Sequence, residues 1–218
     1  MRTLISLLVV TTLTSGCVSI NRLPLDGKLA PTLKDQVITH TVREKPSFVA
    51  MTPGSAALGI LGAAAMISQG NSIIRENKVA DPADSIAADV AKLLSEQHGT
   101  RFVTSPISVN SNNVAQIATA VSGKARFVVD VETLDWSFVY FPTDWSHYRV
   151  SYRARARVID ADSKTVIAEG ACQRMPDQAA NAPTYDELLA AEATLLKKEL
   201  ALAAEACVKT LRTEMLVL

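Results

Sequence analysis

Three alternating segments decide the fold: ARFVVDVETLDWSFVY (residues 125–140), HYRVSYRARARVI (147–159) and TVIAEGAC (165–172). Apolar and polar residues alternate along each segment, which is typical of β-strands with one buried face. Short polar turns separate the segments, at Pro142-Thr143-Asp144 and at Asp160-Ala161-Asp162-Ser163. The pattern therefore predicts an antiparallel meander of three strands.

The register of the meander also follows from the alternation, because a slip of one residue would exchange the two faces of a strand. We expect Tyr140 to lie opposite His147 in the first pair of strands. In the second pair we expect Val158 to lie opposite Val166. With this register, one face of the meander is apolar and the other carries charged side chains.

The charged face forms a ladder of five side chains, namely Asp130, Glu132, Arg153, Arg155 and Arg157. The register pairs Asp130 with Arg157 and Glu132 with Arg155, and it puts Glu169 beside Arg155. Cross-strand pairs of opposite charge contribute about 0.2–1 kcal/mol each. The simpler interpretation is a solvated sheet face, and the alternative is a surface that faces a partner or an anion.

Aromatic side chains crowd the tip of the first hairpin, namely Trp136, Phe138, Tyr140, Phe141, Trp145 and Tyr148. Exposed aromatic residues in this position would contact a protein partner or a bilayer interface. Covered by a helix at 54–67, they would be ordinary core. The sequence leaves both interpretations open.

The segment GSAALGILGAAAMI (54–67) has no charged residue, and the uncharged run continues to Asn71. It is too short for a membrane-spanning helix. One interpretation is a buried helix that packs flat against the sheet. The other is an oligomer contact or a membrane-inserting element, because a large exposed apolar patch usually marks an interaction site. The candidate contact residues are Leu58, Ile60, Leu61, Met66 and Ile67.

The elements on either side of the meander complete an α+β fold. We expect strands at 36–43 and 101–109, a helix between the cap Asp81 and the stop Gly99, a short helix at 114–121, and a long C-terminal helix that opens with the capping box Thr184-Tyr185-Asp186-Glu187. The prediction is an antiparallel sheet, made of the meander plus one or two further strands, packed on helices. Residues 36–218 form this single domain.

The first seventeen residues, MRTLISLLVVTTLTSGC, combine the basic Arg2, an apolar run from Leu4 to Leu13, and small residues before Cys17. They resemble the signal of bacterial lipoproteins, although Thr14 stands where that family usually has Leu. The resemblance implies that residues 1–16 are removed and that Cys17 receives diacylglycerol. An ordinary signal peptide with a chance cysteine is the alternative.

The same resemblance implies a cellular location. Val18, rather than Asp, after the lipidated cysteine implies sorting to the outer membrane of a Gram-negative cell, with the domain facing the periplasm. Residues 17–35 are then a lipidated tether or simple surface coil, since Pro24, Gly27 and Pro31 interrupt every periodic pattern.

The implied location in the periplasm bears on the pairing of the cysteines. With Cys17 lipidated, two cysteines remain in an oxidising compartment. Cys207 lies on the apolar stripe of the C-terminal helix, which also contains Leu189, Leu196, Leu200, Ala203 and Leu211. It points at the core that receives Cys172, so we predict a Cys172–Cys207 disulfide; two reduced core cysteines are the alternative.

The order of elements over residues 36–215, together with the lipidated start, resembles the periplasmic domains of envelope-assembly lipoproteins. These include the curli secretion channel, the penicillin-binding-protein activator lipoproteins and the N-terminal domain of the Tol translocation protein. Auxiliary lipoproteins of envelope ABC transporters look similar. No diagnostic motif accompanies the likeness, so no residue role is carried over.

The sequence restricts the function mainly by excluding classes of partner and activity. Lys and Arg number 22, as do Asp and Glu, which argues against nucleic acid as a partner. Nucleophile-elbow, zincin, Walker and dinucleotide motifs are absent, and the three histidines lie on different elements, so we expect no metal, cofactor or catalysis. We expect an outer-membrane subunit that binds an envelope protein or assembles with itself. A lipid-transport auxiliary and a periplasmic hydrolase are the alternatives.

Overall fold

The computed structural model describes residues 20–218, so Cys17 and the predicted export signal, residues 1–16, lie outside the described residues. The described helices are α1 (Ala30–Leu33), α2 (Pro53–Ala56), α3 (Gly59–Glu76), α4 (Pro82–His98), α5 (Val114–Val121) and α6 (Tyr185–Glu214). The strands are β1 (Val37–Val42), β2 (Val49–Met51), β3 (Arg101–Phe102), β4 (Ile107–Ser108), β5 (Phe127–Phe141), β6 (Asp144–Asp160) and β7 (Thr165–Arg174). This is the predicted α+β class, with a long C-terminal helix.

One sheet contains seven strands. Five of them lie side by side in the order β3-β1-β5-β6-β7, while β2 pairs with β5 and β4 pairs with β1. The strands β5, β6 and β7 form the predicted antiparallel meander. On the other side of β5, β1 and β2 both pair with it in the parallel direction, at different points along its length. The strand β2 has only three residues, too few for an alternating pattern to reveal it in the sequence.

The prediction of one continuous strand at 101–109 is wrong. The segment forms two short strands, β3 and β4, which both pair in parallel with β1. Pro106 interrupts it because proline has no N–H to donate to a strand ladder. Thr39 Oγ1 instead donates across the gap, to the carbonyl oxygen of Ser105 at 3.0 Å.

The predicted register of the first hairpin is confirmed along its inner half, where Asp130 pairs with Arg157. A bulge at Leu134 then shifts the pairing by one residue, so Tyr140 lies opposite Tyr148 rather than His147. An extra residue in one strand produces such a shift and increases the local twist.

The register of the second hairpin differs from the prediction by two residues. Val158 lies opposite Ala168 rather than Val166, and Glu169 lies opposite Arg157 rather than Arg155. The turn accounts for one residue of the difference, since Asp160 pairs with Thr165, and a bulge between Val158 and Ile159 accounts for the other. A shift of two residues leaves each side chain on its predicted face. The faces could therefore be predicted although the partners were not.

Helices cover both faces of the sheet. The apolar face packs on α4 and α6 and contains the main core. Gly170 of β7 allows α6 to approach closely, since a β-carbon at this position would lie 3.0 Å from the side chain of Met215. The opposite face packs on α5 through a smaller cluster around Ile117, Val128 and Ile159.

The disulfide pairs Cys172 of β7 with Cys207 of α6, as the sequence predicts. Both residues are buried in the main core. The bond closes a loop whose ends are 35 residues apart in the sequence. On the loop-entropy model, a closure of this size stabilises the fold by about 3–4 kcal/mol.

The described part of the predicted tether is packed against the domain rather than extended from it. Leu23 exchanges two backbone hydrogen bonds with Glu169 on the outer edge of β7, at 2.8 and 2.9 Å. Leu25 donates to the carbonyl oxygen of Met215 at 2.8 Å, and the side chains of Leu25 and Leu33 are buried. Apolar residues in a Pro- and Gly-interrupted segment are the sequence signal for this contact.

The long helix α6 begins at the predicted capping box, in which Thr184 and Glu187 bond to each other's backbone N–H. It is not continuous, because Ala191, Glu192 and Ala193 adopt left-handed backbone angles with φ between 49° and 56°. The break makes Leu188 rather than Leu189 the fully buried residue of the first segment. Left-handed backbone costs an L-residue roughly 1–2 kcal/mol.

Glycine at Glu192 should relieve part of this cost, since its side chain is exposed and glycine adopts positive φ freely. We expect Glu192→Gly to raise the free energy of unfolding by about 0.5–1 kcal/mol, measured by urea denaturation. The control is Glu205→Gly, at an exposed position in the regular part of α6, where glycine should destabilise by a similar amount. Destabilisation by both variants would contradict the left-handed turn.

Candidate functional site

The candidate interaction surface is built by α2 and α3, which follow β2 directly. Thr52 caps α2 by accepting a hydrogen bond from the Ser55 N–H, and Pro53 occupies the first turn. Gly59, with φ of +56°, then separates α2 from α3. The predicted uncharged helix at 54–67 is therefore two helices, and α3 extends beyond it to Glu76.

The inner side of α3 is fixed to the domain. Met66, Gly70, Ile73 and Ile74 are buried. Gly70 lies so close to the carbonyl group of Phe48 that a β-carbon there would clash with the backbone. Of the predicted contact residues, Met66 is thus corrected to a core residue, because it lies on the side of α3 that faces β2.

The outer side of α2 and α3 is apolar and open. The exposed fractions are 63% for Leu58, 92% for Ile60, 80% for Leu61 and 40% for Ile67. We call these four residues the α2–α3 surface. Isolated exposed apolar residues are ordinary, but a cluster within ten positions of an uncharged segment is the kind of patch that marks an interaction site.

The hairpin aromatics are mostly core, so of the two interpretations left open by the sequence, burial holds for Trp136, Phe138 and Phe141, and these three are not exposed contact residues. All three side chains are buried. Phe48 covers Trp136 and Phe138 with edge-on ring contacts, at centroid distances of 5.2 and 5.7 Å. Phe48, which buries these two rings, directly precedes β2, the short strand that the sequence pattern did not predict. Trp145 alone of the predicted anchors is exposed, at 65%.

Trp145 and the α2–α3 surface lie toward the same end of the sheet. The last residue of β2, Met51, pairs in parallel with Val139, two residues before β5 ends at the hairpin turn. The chain therefore leaves β2 in the direction of the hairpin tip, and α2 begins there. This end of the domain combines exposed aliphatic residues with one exposed tryptophan.

The predicted charge ladder is buried rather than solvated, which corrects both interpretations of it. Only Arg153 of its five members is exposed, and Asp130 is 1% exposed. The carboxylate of Asp130 accepts from Arg157 Nη2 at 2.7 Å and from Arg43 Nη2 at 2.8 Å. Glu132 accepts from Arg155 Nη2 at 2.6 Å.

Two groups that the sequence analysis missed close this cluster. Arg43, just after β1, reaches Asp130 because β1 pairs in parallel with β5. The Asn112 side chain accepts from Arg43 at 2.9 Å and donates to Glu132 at 2.7 Å. The run of Asn and Ser at 110–113 was the sequence feature that could have predicted this contact, since polar loop side chains often form hydrogen bonds with buried charged groups. The cluster stabilises the fold and presents no free charged face.

The lining of a cleft of about 260 Å³ beside the cluster includes the carboxylates of Glu44, Asp81 and Glu132. Two of these carboxylates already have partners. Asp81 accepts from Thr133 Oγ1 at 2.6 Å and from the Ala83 N–H at 2.9 Å, and both oxygens of Glu132 are bonded. Burial raises the pKa of Asp81 above its usual range.

A second cleft, of about 670 Å³, lies beside α3, and its lining contains Glu44, Lys45, Arg75 and Lys78. A charged lining does not suit a lipid chain. Within residues 20–218, no group of three or more His, Cys, Asp or Glu side chains is arranged to hold a metal ion. No helix of the same region is both long enough and apolar enough to cross a membrane.

The histidines lie apart, as their sequence positions suggest. His147 Nδ1 and Asp144 Oδ2 are 2.7 Å apart near the hairpin tip. His40 is buried in β1, with Nε2 3.6 Å from Asp84 Oδ1 and Nδ1 without a hydrogen-bond partner among the described residues. Burial lowers the pKa of His40, and the nearby Asp84 carboxylate opposes part of this effect.

Comparison with known proteins gives neighbours of low similarity. No protein-family model matches the chain, and a search of curated sequences found no match. The PelC dodecamer from Paraburkholderia phytofirmans aligns with 12% identity and a TM-score of 0.40, over 91% of this chain and 96% of that one. The hypothetical protein CT253 from Chlamydia trachomatis aligns with 14% identity and a TM-score of 0.38, over 83% and 97%.

Lipoprotein GNA1162 from Neisseria meningitidis aligns with 12% identity and a TM-score of 0.29, over 78% of this chain and 99% of that one. These neighbours are proteins of Gram-negative bacteria. Similarity at this level assigns no family to the chain, and no residue role is carried over.

Replacing Asp130 with Asn should destabilise the protein strongly, because the buried Arg157 and the partly buried Arg43 lose their shared counter-charge. We expect a loss of about 3–5 kcal/mol in the free energy of unfolding, measured by urea denaturation. Asp162→Asn is the control: this carboxylate is exposed and lies 3.6 Å from Arg126, so its loss should cost less than about 1 kcal/mol. Equal effects of the two variants would show that the cluster is not buried in solution.

Stability should decrease as the pH falls below about 6.5, the ordinary pKa of histidine. The pKa of His40 is lowered in the folded chain, so the unfolded chain binds more protons in this range. The contribution of neutral His40 is complete above pH 6.5 and is lost as the pH falls toward the folded pKa. His98, whose pKa burial also lowers, adds to the slope.

His40→Gln should therefore reduce the pH dependence of stability between pH 7 and about 5.5, measured by urea denaturation at a series of pH values. His147→Gln controls for the loss of a histidine at the half-exposed hairpin tip. An unchanged slope in His40→Gln would contradict a neutral buried imidazole.

Proposed function

We propose that the chain is an outer-membrane-anchored lipoprotein that acts as a non-catalytic subunit of a cell-envelope complex, either binding a partner or assembling with itself. The observation that carries the proposal is the α2–α3 surface: Ile60 and Leu61 are among the most exposed large apolar residues of the described chain. Such exposure is costly to keep in water and is ordinarily relieved by a contact.

The anchor in this proposal is the lipid on Cys17. One acyl chain gives only marginal membrane binding, whereas the several chains of a lipoprotein N-terminus hold stably. The domain would face the periplasm, where the Cys172–Cys207 disulfide is compatible with an oxidising environment.

The binding role is favoured over the two alternatives by the clefts. A lipid-transport auxiliary needs an apolar cavity, and the cleft beside α3 has a charged lining. A hydrolase needs carboxylates free to exchange protons or attack, and in the cleft beside the charge cluster Glu132 is engaged by Arg155 and Asn112.

The test is to isolate the complex from envelope solubilised in mild detergent and to measure its mass for the wild type and for Leu58→Glu/Leu61→Glu. The two carboxylates should lower the yield of the complex at least about tenfold, because burying an unpaired charge at a contact is costly. The intact mass of the purified wild-type chain reports lipidation at Cys17 in the same preparation.

The matched control is Val217→Glu, at a C-terminal residue with the same 63% exposure as Leu58. It should leave the complex intact. A wild-type chain that purifies as a stable monomer without a partner would contradict the proposal, as would a complex that is insensitive to the Leu58→Glu/Leu61→Glu change.

A further inference from the structure

The composition of the α2–α3 surface restricts what can cover it. Around Leu58, Ile60 and Leu61, the exposed positions of the two helices carry small residues, including Ala57, Ala63 and Ala64. Small residues let two helix backbones approach closely. No charged residue occurs between Gly54 and Asn71, so a charged partner would find no complement here.

The chain's own N-terminus does not reach this surface in the mature protein. Leu23 is fixed on the outer edge of β7, and the six residues back to Cys17 span at most about 22 Å. Glu169, the partner of Leu23, is level with Asp130 in the sheet, whereas the end of β2 is level with Val139. Nine residues of strand separate these levels by about 30 Å, and three strand spacings add to the distance.

A bilayer is also a poor match for the surface. Helices that lie in a membrane interface carry Lys and Arg on their polar side. Apart from Ile60, Leu61 and Ile67, the exposed positions of α3 carry mostly alanine, serine and glutamine, without a basic residue before Arg75.

We propose, building on the proposed function, that the α2–α3 surface binds the same surface of a second copy of this chain. A two-fold contact places equivalent residues near one another, so a charged surface would meet its own charge, whereas this uncharged one does not. Chains anchored in one leaflet share one orientation relative to the membrane. A two-fold axis along the membrane normal preserves that orientation and brings Ile60 and Leu61 of the two copies together.

The first test is the association state of the mature Cys17→Ser chain, which lacks the lipid but retains every described residue. Sedimentation velocity over a wide concentration range should show a reversible monomer–dimer equilibrium. Ile60→Glu/Leu61→Glu should raise the dissociation constant at least about tenfold. Its melting temperature should stay within about 2 °C of the parent, since both side chains are exposed in the monomer.

The second test is covalent capture in the native envelope. A cysteine introduced by Leu61→Cys should give a disulfide-linked homodimer on mild oxidation, because a symmetric contact brings the two copies of α3 together. Lys92→Cys, on the exposed side of α4, is the matched control and should remain monomeric.

Three outcomes would overturn the inference. A Cys17→Ser chain that stays monomeric at every concentration, together with no Leu61→Cys homodimer in the envelope, excludes the second copy. An envelope complex that contains a different protein and is lost in Ile60→Glu/Leu61→Glu retains the proposed function and rejects the homodimer. Binding of the Cys17→Ser chain to phosphatidylethanolamine–phosphatidylglycerol vesicles through Ile60 and Leu61 would assign the surface to the bilayer.

Discussion

The carboxylate of Asp130 is the group on which the arrangement of this sheet depends. It lies near the start of β5 and accepts hydrogen bonds from Arg43 beyond β1 and from Arg157 on β6, so one buried charge connects three neighbouring strands. Thr41 adds a further bond at 2.8 Å. A buried carboxylate is tolerated only with such complete pairing. The register that brings the three strands together is therefore the register in which this charge is neutralised.

The opposite face of the sheet follows a different physical rule. Its contacts with α4 and α6 are apolar, and small residues of β7 such as Ala168 and Gly170 allow α6 to lie close. The Cys172–Cys207 disulfide fixes the same helix to the same strand covalently. The domain thus combines a non-directional apolar contact on one face with a directional ionic network on the other. Among residues 20–218, the most exposed large aliphatic side chains cluster on α2 and α3 rather than on either face of the sheet.

Local patterns predicted much of this fold, while contacts between distant segments did not follow from them. Strand alternation gave the Asp130–Arg157 pair, and the cysteine count gave the disulfide. Whether the charged face met solvent depended on Arg43 and Asn112, which are far from the meander in sequence and reach it only through parallel pairing. The burial of Trp136 depended in the same way on Phe48. The left-handed turn at Ala191–Ala193 has no glycine to mark it, so the α6 pattern reads as continuous. The sequence pattern located the segment that carries the candidate interaction surface, but it could not distinguish the buried side of α3 from its exposed side.

The antiparallel bridge between Leu23 and Glu169 has a consequence for solubility. The strand β7 is the last of the sheet, and its outer backbone groups would otherwise offer a template for pairing with any extended chain. By occupying the middle of that edge, the N-terminal segment interrupts the row of free donors and acceptors. An open edge would invite irreversible strand addition whenever two chains meet. The segment that precedes α1 thus also protects the sheet against β-aggregation.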